Sequence, residues 1–76
     1  MTLAQAKKNT QVVIQEIMFQ GNGRQRLLDI GFIQGASVEV KGFAPLGDPI
    51  LIEVNGCLMA LRKSDAKNIG IIPKTV

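Results

Sequence analysis

The chain has 76 residues, 46% hydrophobic and 20% charged, with nine Lys and Arg against six Asp and Glu for a net charge of +3. At that length it is expected to form one domain, residues 1–76, burying only about 60% of its unfolded surface. It has no His and a single Cys, which removes the commonest general base and metal ligand and any internal disulfide, and its mild positive charge does not by itself mark a nucleic-acid binder.

Thr2 can cap a brief helical turn holding Leu3 and Ala6, and Lys7 to Thr10 reads as a turn. Val12 to Ile17 is rich in β-branched residues and reads as a first strand. Gln20-Gly21-Asn22-Gly23 is a break, followed by a short helix over Arg24 to Ile30 with Asn22 as its N-cap. Leu27 and Ile30 share a face of that helix, with Leu28 beside them. Gly31 fits the left-handed position that ends a helix, and Phe32 can fold back on Leu27. Ile33 to Ala36 is a turn around Gly35. Ser37 to Lys41 alternates, with Val38 and Val40 inward. Gly42 to Pro49 is a loop containing Pro45, Gly47 and Pro49.

The strongest local signal follows. Asn55-Gly56 sits between two apolar runs, and a type I′ turn needs φ > 0 at both of its central residues. Counting outward pairs Val54 with Cys57, Glu53 with Leu58, Ile52 with Met59, Leu51 with Ala60 and Ile50 with Leu61. Side chains alternate along a strand, so Ile50, Ile52, Val54, Cys57, Met59 and Leu61 form one apolar face. The other face carries Leu51, Glu53, Leu58, Ala60 and Arg62. A one-residue slip would destroy this segregation, so the register is well specified. Ser64 is expected to cap a single turn over Asp65 to Asn68, and Ile69 to Ile72 is a last strand stopped by Pro73. About five short strands and one real helix predict a mainly β fold, a small and partly open barrel.

No catalytic constellation emerges. Glu16, Asp29, Glu39, Asp48, Glu53 and Asp65 are scattered over different elements. Cys57 reads as a small core residue and Asp48 as a turn residue that bonds its own backbone nearby. No metal or cofactor is expected. Gly21-Asn22-Gly23 ahead of a helix, with Arg24 and Arg26, could attract an anion. It matches no phosphate-loop or dinucleotide pattern, and a helix-start turn with solvated arginines explains it. Single-strand binders pair a basic groove with stacking aromatics, and only Phe19, Phe32 and Phe43 are available. The mixed hairpin face is the better candidate. Leu51, Leu58 and Ala60 edged by Glu53 and Arg62 form a protein-contact patch if they stay exposed, and part of the core if the helix or a terminal segment covers them. The longest apolar run, Cys57 to Leu61, is far short of the roughly 20 residues that span a bilayer. No signal peptide is apparent, and a cytoplasmic location is expected.

Leu27-Leu28-Asp29-Ile30-Gly31-Phe32-Ile33-Gln34-Gly35, Val38-Glu39-Val40, Pro45-Leu46-Gly47-Asp48-Pro49, Val54-Asn55-Gly56, Ala60-Leu61-Arg62 and Ser64-Asp65-Ala66-Lys67-Asn68-Ile69 together resemble the FeoA family. The resemblance runs from about Thr2 to Pro73. Two positions depart from it: Gln34 stands where Pro is frequent, and Lys67 where an acidic residue is common. The resemblance implies an SH3-like barrel. It also implies a cytoplasmic, non-enzymatic accessory of bacterial ferrous iron transport that contacts the GTP-dependent transporter FeoB, with Leu51, Glu53, Leu58, Ala60 and Arg62 as the candidate contact. Self-association through sheet edges is left open. The alternative is a small basic nucleic-acid-binding or regulator-type module, since a similar domain ends the DtxR-type metal-dependent repressors.

Overall fold

Alternating apolar residues fold here into one antiparallel sheet. The computed structural model describes residues 1–18 and 22–74. Its strands are β1 (Thr10–Ile17), β2 (Ser37–Phe43), β3 (Ile50–Val54), β4 (Cys57–Leu61) and β5 (Ile69–Pro73), in the spatial order β4-β3-β2-β1-β5. Helix α1 (Asn22–Asp29) lies between β1 and β2, and the single turn α2 (Lys63–Ala66) links β4 to β5. Val12 and Ile14, Val38 and Val40, Ile50, Ile52 and Val54, Leu61, and Ile69 and Ile71 all enter one buried cluster. The sheet is therefore curled round a single core and left open between β4 and β5.

The hairpin has the register obtained by counting, from Val54 opposite Cys57 to Ile50 opposite Leu61. Asn55 and Gly56 have φ of 52° and 79°, as a type I′ turn requires. Ile50, Ile52, Val54 and Leu61 are buried and Met59 packs against them. Cys57 departs from the expectation: it is exposed, at the turn end of the edge strand β4, although its partner Val54 is buried. β2 also runs further than expected. It continues through Gly42 and Phe43 by pairing with Leu51 and Ile50, after a register shift between Val40 and Gly42.

Helix α1 begins at Asn22, which makes that residue helical and not the expected cap. Phe19, Gln20 and Gly21, and with them part of the expected break, lie outside the described residues. The C-terminus follows the sequence closely. Gly31 has φ +95°, its N–H donates to the Leu28 carbonyl (3.0 Å), and the Phe32 N–H donates to the Leu27 carbonyl (2.9 Å). This bond pair is the Schellman ending. It drives Phe32 and Leu27 into the core and leaves Ile30 exposed, so Ile30 does not share the buried face with Leu27 as its spacing suggested. A fully buried Phe contributes roughly 1.5–3 kcal/mol. Gly31 also lies against the side chain of Asn55, which occupies the space a Cβ would need. The Asn55 Nδ2 points to the Ile30 carbonyl at 3.5 Å.

Two of the three short helical turns close the core. Leu3 and Ala6 of the N-terminal turn and Ala66 of α2 are buried, and the Thr2 N–H donates to Gln5 Oε1 at 2.9 Å. Helix α2 starts one residue before the expected cap Ser64. Its first N–H, on Lys63, donates to Asp48 Oδ1 at 3.0 Å. Asp48 thus serves a helix start fifteen residues away and not its own turn, because the β3–β4 hairpin register, continued two residues past Ile50 and Leu61, sets position 48 opposite position 63.

Ala at Gly31 is expected to destabilise the fold by at least about 1–2 kcal/mol, the left-handed cost for an L-residue, with Asn55 displaced in addition. Gly23, whose Cβ would meet nothing, is the control: Gly23→Ala should stabilise by up to about 1 kcal/mol. Asp48→Ala should cost about 1 kcal/mol through the lost cap, and Asp48→Asn less. Urea denaturation of the purified variants measures all three.

Candidate protein-contact surface

The outward face of the sheet is built from alternate residues of three strands. β2 contributes Glu39 and Lys41, β3 contributes Leu51 and Glu53, and β4 contributes Leu58 and Ala60. Glu53 stands opposite Leu58, Leu51 opposite Ala60, and Glu39 opposite Glu53. Neither α1 nor a terminal segment covers this face among the described residues. Leu51 is 41% exposed and Leu58 70% exposed. Leu51, Glu53, Leu58 and Ala60 line a shallow groove of about 550 Å³ with Lys41 and Met59.

Two carboxylates directly opposite each other on neighbouring strands repel. The β-bulge in β2 resolves this, since its extra residue is Lys41, and a bulge re-aims a side chain. Lys41 Nζ sits 3.0 Å from Glu39 Oε2 and 3.9 Å from Glu53 Oε1. The hydrogen bond from Lys41 and its charge hold the Glu39 carboxyl below the usual glutamate range. The bond to Glu39, its charge and that of Glu53 push the Lys41 ammonium up. The groove thus has an apolar floor and one fixed charged wall. Sequence reading did not place Lys41 there, because only the strand order sets β2 beside β3; the alternation of Glu39 and Lys41 on the outward positions was the available signal.

The remaining candidates separate. Arg62 lies in a neighbouring cleft of about 590 Å³, with Arg26 and Leu27 of α1, Ile30 just after it, Met59, Ala60 and Leu61 of β4, and Asp65. Arg24 lines a third cleft, with Gln15, Glu16, Ile17, Leu28 and Gln34. Arg24 and Arg26 are therefore not brought to one anion site, and Gly21 of that motif lies outside the described residues. Of the described phenylalanines, Phe32 is buried and Phe43 is partly exposed, so no stacking platform is assembled among them. Gly35 (φ +89°) and Gly47 (φ +83°) serve turns, and Pro49, beside Asp48, accepts from the Ala44 N–H at 3.0 Å. Among the described residues no three Cys, Asp or Glu side chains gather where they could hold a metal ion, and no helix is long and apolar enough to cross a membrane.

Five short antiparallel strands curled round one core, the last two joined by a helical turn, define an SH3-like module. The FeoA domain model matches residues 1–73, and the chain belongs to the FeoA family. It resembles the solution structure of FeoA from Chlorobium tepidum, at 33% identity over 99% of this chain and 71% of that one, with a TM-score of 0.93. The zinc complex of Stenotrophomonas maltophilia FeoA, described as a procaryotic SH3 domain protein and a candidate activating factor of ferrous iron transport, is 29% identical over 95% of this chain and 89% of that one, with a TM-score of 0.80. A Porphyromonas gingivalis protein that fuses Fe(2+) transport protein A to the Fe(2+) transporter FeoB is 32% identical over 71 residues. That match covers 93% of this chain and only 8% of the fusion.

The Glu39–Lys41 contact sets a pH window. Glu39, whose value is lowered, contributes above its unfolded value of about 4.3 and loses the contribution as pH falls through the folded value. Lys41, whose value is raised, contributes below about 10.4 and loses it as pH rises through the folded value. In a side-chain NMR titration Glu39 is expected to titrate below an ordinary glutamate, and Lys41→Met is expected to move its midpoint up.

Proposed function

We propose that this chain is a non-enzymatic accessory of ferrous iron uptake that acts by direct contact with the cytoplasmic side of a FeoB-type transporter. The observation that carries the partner is the fusion of a similar domain to FeoB in a single Porphyromonas gingivalis chain, since fusion holds two modules at high effective concentration. The family match supports the transport role. The contact surface in this reading is the groove of Leu51, Glu53, Leu58 and Ala60, with Arg62 beyond its β4 side. An apolar floor with a charged edge is the anatomy of a protein interface, and Leu58 is its most exposed anchor.

The groove suits modulation better than chemistry. It offers Glu39 and Glu53 already engaged by one ammonium, and no nucleophile paired with a base. A partner would bury Leu51 and Leu58 and could exchange Lys41 from its own carboxylates to an acidic group across the interface. Such charge exchange tunes specificity and association rate more than affinity.

Binding to the purified cytoplasmic part of FeoB, with and without a GTP analogue, tests the reading. Leu58→Asp is expected to weaken binding at least tenfold while leaving the far-ultraviolet dichroism and urea midpoint near those of the parent chain, because Leu58 is largely exposed and outside the core. Undiminished binding by that variant would remove this face, and no binding in any nucleotide state would remove the partner's soluble part.

A further inference from the structure

The two edges of the sheet are treated differently. β5 is already covered by the chain's own N-terminus: Thr2 forms an antiparallel bridge with Gly70, and the Ile71 N–H donates to the Met1 carbonyl at 2.9 Å. β4 has no such cover among the described residues. Natural edge strands are usually blunted by a lysine, a proline or a bulge. β4 reads Cys-Leu-Met-Ala-Leu, and its register with β3 runs without a shift.

The hairpin turn fixes which amides are free. A two-residue loop closes on a hydrogen-bonded pair, here Val54 and Cys57, and such pairs alternate along an antiparallel ladder. Cys57, Met59 and Leu61 therefore bond to β3, while the N–H and C=O groups of Leu58 and Ala60 point away from the sheet. Alongside β4 runs the cleft of about 590 Å³ whose far wall is α1. Its apolar lining is Leu27, Ile30, Met59 and Leu61, and its charges are Arg26 and Arg62 against Asp65 alone.

We propose that β4 accepts an extended segment of a partner protein as a sixth strand, in the cleft between β4 and α1, and that this segment carries carboxylates for Arg26 and Arg62. Strand addition draws affinity from main-chain hydrogen bonds and specificity from alternate side chains, and this cleft supplies free amides, apolar lining and an excess positive charge. A second copy of this chain fits worse, since its β4, Cys-Leu-Met-Ala-Leu, brings no carboxylate for Arg26 and Arg62. The inference does not depend on FeoB being the partner, and the surface is distinct from the groove of Leu51 and Glu53, although Met59 and Ala60 border both.

The probe is a synthetic eight-residue peptide with blocked ends, four alternating valines and threonines flanked by two glutamates on each side. It is titrated into the ¹⁵N-labelled chain. Expected results are amide shifts on Leu58, Ala60 and α1, and hydrogen exchange at the Leu58 and Ala60 amides slowed at least tenfold. Methylating alternate backbone nitrogens on the peptide's pairing edge should weaken binding at least tenfold. Arg26→Glu, at an exposed helix position, should weaken it severalfold, and that variant should instead favour a peptide with lysines in place of the glutamates. Undiminished binding of the methylated peptide, shifts confined to β5 or to Leu51 and Glu53, or no binding at millimolar peptide would overturn the proposal. So would slow exchange at Leu58 and Ala60 without peptide, together with a dimeric sedimentation mass, which would give the edge to a second copy.

Discussion

Two backbone turns that favour glycine and asparagine meet at one point, where Gly31 at the end of α1 lies against Asn55 in the β3–β4 turn. Both residues have positive φ. At Gly31 the helix reverses so that Phe32 and Leu27 enter the core. At Asn55 the hairpin closes in the one register that buries Ile50, Ile52 and Val54. The close approach is open only to a residue without a Cβ. It ties the helix to the hairpin, sets α1 along the edge of β4, and so shapes the cleft that holds Arg26 and Arg62.

The outward face depends on that register in a different way. Because the inward set is fixed, Leu51, Leu58 and Ala60 are forced outward together, with Glu53 beside them. Glu39 is then directly opposite Glu53, an arrangement that repels. The bulge in β2 places an ammonium over both carboxylates. A contact of this kind, at the surface, adds little stability. Its effect is to hold three charges in one place beside an apolar floor, a preorganised surface that a partner does not have to order on binding.

This SH3-like module of the FeoA family carries its charged and apolar surfaces on a uniform core. The core is made almost entirely of aliphatic side chains, with no polar or charged residue buried among the described residues. The charged groups lie on the exterior, where they can steer and select a partner. The two edges of the sheet divide the tasks: β5 is closed by the N-terminus, and β4 presents an uncharged strand beside a basic cleft.

The sequence by itself determined the local features whose causes are local. Asn55-Gly56 gave the hairpin and its register, because only certain residues adopt its angles. Gly31 and Phe32 gave the helix ending for the same reason, and the alternation around Val38 and Val40 gave β2. The motif series carried the family, and the shared face of Leu51, Glu53, Leu58 and Ala60 followed from period-two counting, whereas its exposure was decided by the packing. Tertiary structure decided whatever depended on distant segments meeting. It placed Lys41 over Glu39 and Glu53 and left Cys57 exposed at a strand end. It also sent Arg24, Arg26 and Arg62 to clefts that spacing could not separate. Strand order and sheet curl are set by the packing of the whole core, and no short window of sequence contains that information.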